Sequence, residues 1–285
     1  MHPHFRAARI SPRVSRSRKQ WGSSRRAARR ESKSDRTVAI QPTFLLIADI
    51  GGYTRFMKFH QASLAHAQAI VAQLLEAVID ATGADLKLAK LEGDAAFFYL
   101  SFPPGKEASL EFVAERAAAI YRAFHARASD LKVNTLCVCD GCQQAGNLKI
   151  KLVGHFGEAA VQKVKNLTEL AGVDVILVHR MLKNDVPIPE YMLMTEPVHQ
   201  RIDPRMRDRS QSHLLELDDI GRTDTYYVDL ERYVGEVPPA PKLTMAQRIA
   251  RHTRLAVRTL PELLGLRQAC VGFRNVPDAP PALSQ

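Results

Sequence analysis

The chain has little of what secreted and membrane-spanning proteins are made from. It carries four cysteines in 285 residues, three of them crowded into the stretch from Cys137 to Cys142, too few and too uneven for a secreted disulfide framework. Reduced thiols and a cytoplasmic location are the expectation. Long hydrophobic runs are also missing. The longest, Thr43 to Ala48 and Val173 to Val178, fall far short of the roughly 20 residues that a bilayer crossing needs. Acids are scarce in the first 40 residues, where ten Arg and two Lys face only Glu31 and Asp35. That segment lacks the apolar core of a secretory signal, although its Arg- and Ser-rich character would suit an organelle presequence or sequence upstream of the true start.

The formal charge of +10 therefore sits in this arm, and the remainder of the chain is neutral. An arm with so little apolar surface cannot offset its ordering entropy, and a solvated, disordered tail over 1–40 is expected. Contact with nucleic acid or anionic membrane through its arginines is the less favoured reading. The composition of the chain as a whole is ordinary for a globular protein, 46% apolar and 25% charged residues, and its length is enough for one large domain with appendages or two small ones.

Residues 43–50 read as a buried strand ended by Asp49 and the Gly51-Gly52 pair. A helix follows, capped by Ser63 and Gly83, with Ile70, Val71, Leu74, Leu75, Val78 and Ile79 at helical spacing. Leu86 to Leu100 reads as a hairpin with a tight turn at Glu92-Gly93-Asp94. A second amphipathic helix spans Glu107 to Ala128. A strand starts at Leu148, and after a short polar loop GVDVILVHRMLKN begins like a strand but continues at helical spacing. Further strands are expected at Tyr191 to Thr195 and Thr225 to Asp229. This order implies an α+β fold, helices over one face of a largely antiparallel sheet. The domain is expected to span 41–235. Residues 236–285 then form a Pro-rich linker at Pro238 to Pro241, an amphipathic helix with Arg248, Arg251, Arg254 and Arg258 on its polar side, and a frayed end.

Asp49 stands where a strand ends and a helix is about to begin, and Gly51 and Gly52 let a phosphate approach the main chain. One or two carboxylates with phosphate oxygens suit a hard cation such as Mg²⁺. The plain alternative for each motif alone is an Asx turn or a hairpin corner. If the first strand and the hairpin are sheet neighbours, Asp49 and Asp94 meet at one end, and paired carboxylates without a histidine suit two divalent ions rather than zinc. Cys137, Cys139 and Cys142 form a second candidate metal site, for Zn²⁺, with His155 or Cys270 needed as a fourth ligand; free thiols are the alternative. His155 and His179 read as structural histidines.

FLLIADIGGYTRF, KLEGDAAFF, KLVGHFGE and GVDVILVHR follow one another in the order and approximate spacing of class III nucleotidyl cyclases, and residues 43–230 resemble that homology domain, closest to a divergent bacterial branch. The resemblance implies a ferredoxin-like antiparallel sheet with helices packed on it. It also implies ATP bound with two Mg²⁺ or Mn²⁺ ions, conversion to cyclic AMP and pyrophosphate, and a homodimer with the site between its subunits. By position, Asp49, the backbone of Ile50 and Asp94 resemble the metal ligands. Lys90 and Glu169 resemble the base-reading pair, and Arg180 resembles the arginine that meets transition-state charge. Ile176 departs from the pattern, because it stands where the family has an asparagine, and losing such a donor costs on the order of 10²-fold in rate. The segment from His155 to Gly172 is shorter than usual, and no lysine for the terminal phosphates falls into place. The alternative implied by these departures is a catalytically degenerate domain that binds nucleotide or dimerises.

Overall fold

The computed structural model describes residues 39–59, 64–106, 108–136, 145–165 and 167–250. The basic arm, Cys137, Cys139, Cys142, Cys270 and most of the C-terminal amphipathic stretch lie outside these residues. Strand β1 (Ala39–Gly51) is the centre of the sheet. Phe44, Leu46, Ala48 and Ile50 face one hydrophobic core and Leu45 and Ile47 the other. A central strand buried on both sides must be apolar at successive positions rather than alternate ones, which is why FLLIA reads as an unbroken run.

A short helix α1 (Tyr53–Phe59) and a long one, α2 (Leu64–Ala81), lead to the hairpin β2 (Lys87–Glu92) and β3 (Ala95–Ser101). Helix α3 (Phe112–Asn134) then leads to β4 (Lys149–Val164). The strands run β2-β3-β1-β4, all neighbours antiparallel, which is the ferredoxin-like βαββαβ order. Helices α2 and α3 cover one face through Ile70, Val71, Leu74 and Val78 on the first and Val113, Ala117, Ile120 and Phe124 on the second. These are the residues whose spacing marks the two helices in sequence, although α3 starts and ends later than the expected Glu107 to Ala128.

Beyond β4 the sheet continues. Strand β5 (Leu167–Ala171) pairs back on β4, β6 (Tyr191–Thr195) joins β4 in parallel, and β8 (Gly221–Asp229) and β7 (Gln211–Leu217) complete the edge. Helix α4 (Val173–Arg180) packs on the face opposite α2 and α3, through Val178 with the neighbouring Met181, so the helix layer is not confined to one side. The short helices α5 (Glu196–His199), α6 (Pro204–Arg207) and α7 (Leu230–Val234) finish the domain.

The stretch expected to be a linker is fastened to α3. Ala240 N donates to Ser129 Oγ at 2.9 Å, the Asn134 amide donates to Pro241 O at 3.0 Å, and Leu243 N donates to Asn134 Oδ1 at 2.8 Å. Asn134 is buried, and these bonds, with one from its amide nitrogen to Asp130 Oδ1 at 2.8 Å, satisfy its polar atoms. Thr244 and Gln247 then form a reciprocal capping box that starts a helix at residue 245. Among the described residues no helix is long and apolar enough to cross a membrane.

Candidate functional site

Asp49 lies near the end of β1, in register with Ala95 of β3 on one side and Lys151 of β4 on the other. Asp94 occupies the β2–β3 turn, where its carbonyl accepts the Ile50 N–H at 3.1 Å. The central strand and the hairpin are thus neighbours, and the two carboxylates share one cleft. Burial and then the neighbouring Asp94 push the Asp49 pKa up to about 6, while Lys151 pulls it down. Burial also raises Asp94, against its own backbone N–H and Lys151. Two acids desolvated side by side resist ionisation unless cations join them.

The cleft encloses about 410 Å³. It is lined by Asp49, Ile50, Gly51, Gly52 and Asp94, by Lys151, and by Tyr53, Thr54, Arg55 and Lys58 of α1. Gly52 has φ +85°, a left-handed turn between β1 and α1 that a side chain would strain. A Cβ at Gly51 would press to 3.3 Å from Lys151 Cε. Two carboxylates with cationic side chains in one cleft suit a divalent ion bridging to a polyanion, since Mg²⁺ is held by one or two carboxylates plus phosphate oxygens rather than by an all-protein cage. Among the described residues no three His, Cys, Asp or Glu side chains gather to hold a metal, and the pair here matches that sparse requirement. Lys151, Arg55 and Lys58 escaped sequence reasoning. Lys151 comes opposite Asp49 only through the β1–β4 register.

The residues assigned by resemblance to base reading and charge stabilisation do not line this cleft. Lys90 on β2 pairs with Glu92 at 2.8 Å, and the same Glu92 oxygen meets His179 Nε2 at 3.1 Å. Burial works to raise the Glu92 pKa, but its contacts with Lys90 and His179 hold it below the usual range. Arg180 reaches Asp219 at 3.2 Å and Asp218 at 3.9 Å. Glu169 is exposed on β5, opposite Gln162. Ile176 is 54% and Val173 71% exposed, and Leu88 and Leu91 of β2 are also exposed. Lys90 and His179 are joined through Glu92, while Arg180 reaches the Asp218-Asp219 turn, all apart from the carboxylate cleft.

What holds α4 in place is a partly buried network. His155, on β4, meets Thr195 Oγ1 at 2.8 Å through Nδ1 and Asp174 Oδ1 at 2.9 Å through Nε2, and Asp174 Oδ2 accepts the Glu158 N–H at 2.6 Å. Burial lowers the His155 pKa more than Asp174 raises it, so the ring is neutral at pH 7, with Nε2–H donating to Asp174 and Nδ1 accepting from the threonine. A Cβ on Gly157 would fall on the Asp174 carboxylate. The VGHFG stretch therefore seats the helix that carries Ile176 and Arg180. It also occupies both nitrogens of His155, as it should for a structural histidine, and His179 likewise uses both of its nitrogens, on Val175 O and Glu92.

This sheet, with paired acids at the end of its central strand and helices on both faces, has the fold of the class III nucleotidyl cyclases. A bacterial light-regulated adenylyl cyclase matches it with a TM-score of 0.52 at 10% identity, over 83% of this chain and 68% of that one. The adenylyl cyclase CyaB from P. aeruginosa matches with a TM-score of 0.48 at 14% identity, over 70% of this chain and 100% of that one. In sequence, the family model described as "Protein of unknown function (DUF2652)" matches residues 71–191, which include Asp94, Glu169 and Arg180 but begin after Asp49. The uncharacterized protein Rv2561/Rv2562 of Mycobacterium tuberculosis is 45% identical over 207 residues, 72% of this chain and 94% of that protein. The chain belongs to the family of that mycobacterial protein.

Proposed function

We propose that two copies of this chain bind ATP between them with two divalent cations, Mg²⁺ or Mn²⁺, and convert it slowly to cyclic AMP and pyrophosphate in the cytoplasm. The observation that carries this reading is the meeting of Asp49 and Asp94 in one cleft with the Gly51-Gly52 bend and Lys151. The two carboxylates and the Ile50 carbonyl would hold the ions, whose bound charge favours the ribose 3′-alkoxide and offsets that of the triphosphate. Lys151, absent from the sequence-level assignment, stands where it can meet phosphate oxygens. The 3′-oxygen attacks the α-phosphorus, the bond to pyrophosphate breaks, and the hydroxyl proton leaves to solvent.

Lys90, Glu169 and Arg180 would come from the other copy, the first two reading adenine and Arg180 meeting the charge that develops on the phosphate. Dimerisation is supported by the exposed apolar side chains beside them, Leu88, Leu91, Val173 and Ile176, which a second copy would cover. Lys90 and Arg180 would exchange their in-chain partners, Glu92 and the Asp218-Asp219 turn, for nucleotide. Ile176 offers no hydrogen bond to ribose, so turnover about 10²-fold below that of an asparagine-bearing site is expected. Purified protein supplied with ATP and Mn²⁺ should release cyclic AMP and pyrophosphate, and Asp49→Ala should abolish release. ATP binding without product above the Asp49→Ala background would instead favour a nucleotide-binding or dimerisation module.

A further inference from the structure

A second cleft, of about 560 Å³, lies between α3, α6 and α7 and shares no residue with the carboxylate cleft. Its volume is in the range of small-ligand sites. Arg122 of α3, Arg205 of α6 and Arg209 line it together with Tyr233 of α7. All three arginines are exposed, and among the described residues none is paired with a carboxylate. The Arg209 guanidinium stands 5.6 Å from the centre of the Tyr233 ring. Burial and Asp203 keep the Tyr233 hydroxyl protonated, against the pull of Arg209, Arg205 and Arg122, so it is a donor lying in the field of all three guanidinium groups.

We infer that this groove binds the phosphate group of a small soluble molecule, gripped by Arg122, Arg205 and Arg209 with the Tyr233 hydroxyl as a further donor. Guanidinium forks match phosphate oxygens in pairs, which makes arginine rather than lysine the residue suited to the task. The groove also contains Glu111, Glu115 and Asp203, so a ligand there meets acids as well as guanidinium groups. The Asp203 carboxylate is engaged at 2.7 Å with the Arg205 backbone N–H, as the cap of α6. Glu115 and Glu111 precede Arg122 along α3 by an axial rise of about 10 and 16 Å at 1.5 Å per residue. Phosphate would lie against the guanidinium groups, and a hydroxyl- or amine-bearing portion of the ligand against the glutamates.

The test is calorimetric titration of the full chain with pyrophosphate, in EDTA and at low salt so that divalent ions in the first cleft play no part. Wild type should bind, and Asp49→Ala should bind equally. Arg205→Gln with Arg209→Gln should weaken binding at least about tenfold, the loss expected for charge-assisted hydrogen bonds. Tyr233→Phe should weaken it less, and Glu115→Gln should strengthen it. Because the substituted arginines are exposed, an unchanged melting temperature confirms that the double variant is folded. Absence of binding by wild type, or binding that the double variant retains, overturns the inference. A parallel arm offers phosphatidylcholine vesicles containing phosphatidic acid, and binding to these alone, lost in the double variant, would replace the soluble ligand by a lipid surface.

Discussion

Two carboxylates in this fold are taken out of water and behave in opposite ways. Glu190, only 2% exposed, is held below the usual pKa although burial pushes it up, because His125 Nε2 at 2.7 Å, Lys149 Nζ at 3.0 Å and the Ile150 N–H at 3.1 Å all meet its oxygens. Asp49 is less deeply buried, yet burial first and Asp94 second push its pKa up to about 6, with only Lys151 pulling it down. Burial sets the penalty in both places, and donors decide whether it is met. Glu190 is complete within the chain and ties the start of β4 to β6. Among the described residues Asp49 has no such set of donors, and in the proposed function a cation takes their place.

This contrast can be broken from either side. Glu190→Ala should be the most damaging change, destabilising the protein by about 3 kcal/mol in urea unfolding, because Lys149, His125 and a buried N–H lose their common partner. A loss under about 0.5 kcal/mol would show that the cluster is ornamental. Gly157→Ala comes next, at about 2 kcal/mol, since the methyl group displaces Asp174 from His155 and unseats α4. Here the discriminating readout is cyclic AMP formation, which should fall further than the stability loss explains if Arg180 moves with the helix.

Asp49→Asn should act with the opposite sign. A carboxylate whose pKa is raised by folding costs nothing below its unfolded value near 4, and the cost is complete above about pH 6. In metal-free buffer at pH 7.5 the asparagine variant should therefore be more stable than wild type, by about 1 to 2 kcal/mol once solvent screening is allowed for. At pH 4 the two should unfold together. Equal stability at both pH values would mean that Asp49 is as well partnered as Glu190.

Much of this was legible in the chain itself. Asp49 and Asp94 could be paired before any coordinates, because a carboxylate at each of two glycine-bearing turns is a compact signal and the hairpin needs only local pairing. The buried run from Phe44 to Ala48 and the helical spacing of Ile70 to Val78 carried the ferredoxin-like core in the same way. Long-range partners were not legible. Glu190 meets His125 and Lys149 65 and 41 residues away, Lys151 faces Asp49 only in register, and Asn134 fastens Pro241 from 107 positions earlier. Strand β7 was missed because its two central leucines differ: Leu215 is buried and Leu214 is 55% exposed, so the apolar pair hides the alternation. Helix α1 follows a left-handed glycine too closely, and is too short, for its periodicity to register.

Binding of Mn²⁺ to the full chain at pH 7.5, followed by electron paramagnetic resonance as free ion is lost from solution, addresses the paired acids without requiring turnover. Wild type with ATP should take up Mn²⁺, and Asp49→Asn with Asp94→Asn should take up none beyond what ATP alone binds. Equal uptake by wild type and the double variant would contradict the assignment of these two carboxylates to a cation site.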